Sequence, residues 1–160
     1  MADLVAGPPV ARARLWELGH GGDQPRDTIV RYATRAGRVI VLRHPAPDHS
    51  VFAVLSIPAV ERTDSLTVRV APVAERYAVA IAGDRLPNGT TLTFSYAIHF
   101  TPPDSAHDRY PTASRFERAL AIGRLGEDGR VQLLPSERPA ADVLRASITD
   151  PGTYLVAAPR

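Results

Sequence analysis

Leu66-Thr67-Val68-Arg69-Val70 alternates apolar and polar side chains at every position. A strand turns successive side chains to opposite faces, so Leu66, Val68 and Val70 share one face and Thr67 and Arg69 the other. This predicts a strand with one side on a core and one in water. The period of two recurs outward from here. Upstream, Ile29 and Arg31 oppose Val30 and Tyr32 within residues 28–34. Arg38-Val39-Ile40-Val41-Leu42-Arg43 is apolar on both faces in its middle, and Ser50 to Ile57 resumes after the break at Pro45-Ala46-Pro47-Asp48. Downstream, Tyr77 to Ile81 alternates. Thr91 to Phe100 sets Leu92, Phe94, Tyr96, Ile98 and Phe100 two apart, which predicts one long half-buried strand.

Turn chemistry separates these runs. Gly37, Asn88-Gly89 and Glu127-Asp128-Gly129-Arg130 supply the backbone freedom that tight turns need. Further strands are expected over 119–125, 131–134, 145–149 and 152–158. Ser114 is a candidate helix cap, and Pro139 to Leu144 is expected to form one helical turn. Nine or ten short strands with tight turns predict an all-β fold, a two-sheet antiparallel β-sandwich. No internal repeat of fixed period is visible, which excludes a propeller or solenoid. Residues 1–25, punctuated by Gly7-Pro8-Pro9 and Gly19-His20-Gly21-Gly22, are expected as an arm or linker, with the sandwich over 26–160. Within that arm Trp16 has two readings: it covers one end of the core from an edge strand, or it docks on a partner.

The chain has 160 residues and is 44% apolar, enough for one domain with a real core. No apolar run is long enough to span a membrane as a helix. All 19 basic residues are Arg, and Asn88 is the sole Asn, a bias typical of GC-rich bacterial genomes. Net charge is only +2, because 17 acidic residues are interspersed. Nucleic-acid binders gather their basic residues on one face or in one run, so no nucleic-acid partner is expected. The absence of Cys gives no redox clue. Met1-Ala2-Asp3-Leu4-Val5 lacks the charged and apolar regions of an export signal; either the chain is not exported by that route, or a signal was removed.

Three groups carry candidate chemistry. His44, Asp48 and His49 place two imidazoles and a carboxylate within six residues, the ligand types of a zinc site, with His99, His107 or Asp108 needed to complete it. The competing reading is a rigid turn whose Asp48 caps local backbone donors. His107-Asp108 with Ser105 or Ser114 supplies triad residue types, but no Gly-x-Ser-x-Gly elbow exists. No phosphate-binding or dinucleotide motif is present, and no cofactor is expected. Among the aromatics, Trp16 and Tyr110 are the candidates for a carbohydrate platform, Tyr110 because it lies in a polar, Pro-rich loop.

Asp150-Pro151-Gly152-Thr153-Tyr154-Leu155-Val156 resembles the Asp-x-Gly-x-Tyr-x-Cys pattern of immunoglobulin-like domains, with Val156 in place of the Cys. The resemblance implies a structural corner, with the Tyr154 ring buried and its hydroxyl returned to the backbone. Residues 35–159 also resemble, in order and turn chemistry, the ZU-five type β-sandwich of ankyrins and netrin receptors. Ile57-Pro58, Leu66 to Val70, Arg124 to Leu134 and Tyr154-Leu155-Val156 carry the likeness. Gly152 to Pro159 is similar to the ending of bacterial surface proteins. These resemblances imply a module on exported or membrane-attached chains. The expected function is therefore a non-catalytic structural or protein-interaction module, self-associating through its arm and sheet edges. The alternatives are a carbohydrate-binding domain and a metal-dependent hydrolase centred on His44, Asp48 and His49.

Overall fold

The computed structural model describes residues 7–96, 100, 101, 106 and 108–160. The described strands are β1 (Val10–Ala11), β2 (Leu15–Glu17), β3 (Gly19–His20), β4 (Thr28–Ala33), β5 (Arg38–Arg43), β6 (Val51–Ile57), β7 (Ser65–Pro72) and β8 (Ala78–Gly83). They continue with β9 (Thr91–Ser95), β10 (Phe100–Thr101), β11 (Ala121–Leu125), β12 (Arg130–Leu133), β13 (Ser136–Ala140), β14 (Val143–Ser147) and β15 (Gly152–Pro159). Among the described residues one α-helix, α1 (Ala113–Ala119), precedes β11, and a 3-10 turn, Arg12–Arg14, joins β1 to β2. Eight strands form one antiparallel sheet in the order β1-β12-β11-β15-β8-β7-β4, with β2 also on β15; five form a second in the order β13-β14-β9-β6-β5. The two sheets face each other as an all-β sandwich.

The main core lies between them. Leu66, Val68 and Val70 of β7 are buried, while Ser65, Thr67 and Arg69 are exposed. Tyr154 and Val156 come from the same sheet, and Ile40, Phe52, Leu55, Leu92, Phe94 and Leu144 from the other. Phe52 stacks on Tyr77 across the interior at 5.5 Å. β15 is buried on both faces, because Leu155 and Ala157 join Leu15, Ala78 and Val131 in a second, smaller core. The continuous apolar run Tyr154-Leu155-Val156-Ala157-Ala158 is what such a doubly covered strand requires.

Sheet geometry explains the second core. β1 pairs with β12 and β2 with β15, yet only Arg12–Arg14 separates β1 from β2. Four strand spacings would put a flat sheet's β1 and β2 about 19 Å apart. The step from Ala11 to Leu15 reaches at most about 14 Å. The sheet therefore curls there and encloses Leu15 and its neighbours. Residues 7–25, expected as an arm or linker, are thus sewn into the sandwich where described. Gln24 adds a clamp: its amide donates to the Val73 and Arg76 carbonyls at 2.7 and 2.9 Å and accepts from the Glu75 N–H.

Three local expectations are corrected. The stretch from Thr91 is not one strand: β9 ends at Ser95, and Phe100–Thr101 pairs instead with β3 in a separate ribbon; Ile98 lies outside the described residues. The cap of α1 is Thr112, whose hydroxyl accepts from the Arg115 N–H, rather than Ser114. The turn expected at Pro139 to Leu144 is a hairpin between β13 and β14, with Asp142 at φ 60°.

Candidate functional site

His44 continues the inward face of β5 beyond Ile40 and Leu42 and is buried. β3 brings His20 to it from the opposite side. Their ring planes lie within 10° of parallel with centroids 5.0 Å apart, the two Nε2 atoms meet at 2.8 Å, and Phe52 and Tyr77 close around them edge-on to His20. His44 Nδ1 lies 2.9 Å from both the carbonyl oxygen and the hydroxyl of Ser50. A carbonyl oxygen only accepts, so a proton on His44 Nδ1 would serve the Ser50 carbonyl and leave Nε2 to accept from His20, whereas the other tautomer would let Nδ1 accept from the Ser50 hydroxyl.

The expected metal ligands are not brought to one point. His44 faces inward, whereas Asp48 and His49 are exposed on the connection to β6. Asp48 Oδ1 accepts from the Ser50 N–H at 3.3 Å, the local capping role, and His49 takes φ 54°. No group of three His, Cys, Asp or Glu side chains converges among the described residues. His99, His107 and Ser105 lie outside them; Asp108 and Ser114 are exposed.

Trp16 and Tyr110 meet edge to face at 5.8 Å, with Trp16 buried and the Tyr110 hydroxyl donating to the Pro159 carbonyl at 2.7 Å. Both rings are packing, and none of the described aromatic side chains is exposed. Tyr154 buries its ring and donates its hydroxyl to the Asp150 carbonyl at 2.6 Å, while Gly152 at φ 153° packs against Arg124. Burial raises the Tyr154 and Tyr96 hydroxyl pKa values above the usual 10.0; for Tyr96 a hydrogen bond from Arg138 at 2.6 Å opposes the rise.

The exposed large apolar side chains lie elsewhere, on two edge strands. Ile29 is 67% exposed, Val39 59% and Val41 40%. Ile29 lies on β4, the last strand of the larger sheet, and the two valines on β5, the last strand of the smaller one. A turn at residues 34–37 joins these strands, so both sheets end on the same side of the molecule. A cleft of about 560 Å³ opens where β4 begins and β5 ends, lined among others by Pro25, Arg26, Thr28, Val41, Leu42 and Arg43. The sequence signal for this side is β5 itself, apolar on both faces although only one is covered. His20 had no such signal, since its neighbours read only as turn formers.

No protein-family model, curated protein or solved structure matches this chain.

Proposed function

We propose that this chain is a non-catalytic protein-interaction module that takes up an extended segment of a partner along the open edge of β5. One observation carries the reading: all three exposed large apolar side chains among the described residues lie on the two edge strands of one side. Scattered single apolar residues need no explanation, but a set aligned on unpaired strand edges invites strand addition. The ZU-five type resemblance supports the same class. Self-association through residues 1–25 loses support, since β1, β2 and the Gln24 clamp already hold the described part of that segment. The buried aromatics and the scattered metal candidates likewise favour neither alternative.

A random-peptide display selection against the full chain tests this. Selected peptides are expected to lose about tenfold or more in affinity for a Val39→Thr/Val41→Thr variant, which keeps the strand shape and removes apolar contact. Peptides that bind both proteins equally, or a selection that returns none, would overturn the reading.

A further inference from the structure

Resting on that reading, we propose that the segment β5 accepts is acidic: a strand of about six residues with two apolar side chains opposite Val41 and Val39, and a carboxylate opposite each of Arg43 and Arg38.

The choice of edge comes first. Proteins blunt strand edges with proline, bulges, charge or brevity. β1 has two residues, and β13 carries Pro139 and a register shift between Glu137 and Ala140. β4 has the charged Arg31 near its middle. β5 runs six residues with no proline and no charge at its four central positions; β6 is its one strand neighbour among the described residues, and their register shifts only at the end, between Leu42 and Arg43. An antiparallel segment added there would set its outward side chains beside Val39 and Val41. Its inward side chain opposite Leu42 would point toward the cleft beside Pro25 and Thr28.

Charge then selects the occupant. Residues 28–43 hold Arg31, Arg35, Arg38 and Arg43 and no carboxylate, and the cleft beside them adds Arg26 and one carboxylate, Asp23. Elsewhere several arginines are paired, Arg12 and Arg76 with Glu17, Arg62 with Asp64, Arg69 with Asp27 and Arg145 with Glu137, while others such as Arg14 and Arg130 are in no ion pair among the described residues. On this side Arg31, Arg35 and Arg38 are exposed and meet no carboxylate among the described residues, and Arg43 donates to the His49 carbonyl. A second copy of the chain would bring a matching set of arginines to the same edge, and like charges across a strand pair repel. An acidic strand turns that repulsion into attraction and gives the edge its selectivity.

Fluorescence anisotropy on the full chain, with the end-capped labelled peptide Asp-Thr-Val-Thr-Val-Asp, decides the matter. Binding is expected to weaken with salt. It should fall about fivefold or more on Arg38→Gln/Arg43→Gln, and on Val39→Thr/Val41→Thr as well, with unchanged unfolding midpoints showing that each variant is folded. The peptide Lys-Thr-Val-Thr-Val-Lys is expected not to bind. Equal binding of the lysine peptide, no binding of the acidic one, or tighter binding of an oligothymidylate would each overturn the proposal. So would a dimer, seen by light scattering, that the valine changes abolish. Display-selected peptides that need Val39 and Val41 but carry no carboxylate would sink the acidic partner and leave the interaction module standing; an empty selection would sink both.

Discussion

The Tyr154 hydroxyl donates to the Asp150 carbonyl, whereas the buried Tyr32 hydroxyl meets no hydrogen-bond partner among the described residues. Both rings fill the core, and both hydroxyls are held above their usual pKa by burial. Their energetic roles differ, because a satisfied buried hydroxyl contributes net stability and an unsatisfied one costs its hydration. Tyr154→Phe is expected to lower stability by about 1 kcal/mol. Tyr32→Phe should leave it unchanged or raise it slightly. Equilibrium urea unfolding of the two variants checks the contrast, and equal losses would mean that Tyr32 has a partner. The corner at Tyr154 was legible from Asp150, Gly152 and Tyr154, since all three act within five residues. His20 was not, since its contact with His44 depends on β3 and β5 meeting in space.

At the scale of elements, local pattern and tertiary demand agree in most strands and part company in a few. β7 is half-buried as its alternation requires. β13 was unreadable as a strand because Pro139 and two charges suit an edge, and an edge position is a property of the sheet. Backbone approach matters in the same way at the end of β8. Gly83 sits at φ 118°, and a Cβ there would lie 2.2 Å from the Thr67 carbonyl oxygen of β7. Gly129 at φ 78° has open space around it. Gly83→Ala is therefore expected to cost about 2 kcal/mol or more, since strain and collision combine, and Gly129→Ala about 1 kcal/mol from strain alone. Thermal and urea unfolding of both variants distinguishes them; equal costs would show that β7 gives way freely.

For the whole molecule, the decisive feature is the wrap of residues 10–20 around the curled sheet. Leu15, Trp16 and Leu18 are buried there, and Leu15 helps to close the second core. Removing each such side chain from a core costs about 2–5 kcal/mol, and a domain's total stability is about 5–15 kcal/mol. A chain beginning at Asp27 is expected to show no cooperative thermal transition by circular dichroism. A sharp transition near that of the full chain would mean that the segment is appended to a self-sufficient sandwich. The segment's role was hidden because its partners, Val131, Leu155 and Tyr77, lie more than fifty residues away in sequence.

The sequence by itself determined the all-β class, most strand positions, the buried faces of β7 and β9, and the corner at Tyr154. Each follows from side-chain period or turn chemistry within a few residues. Only the tertiary structure decided that residues 10–17 complete the larger sheet, that His44 turns inward to His20 and away from Asp48 and His49, and that β4 and β5 end their sheets on one side. Those outcomes depend on which strands become neighbours, and strand neighbours are chosen by non-local packing that no short window of sequence contains.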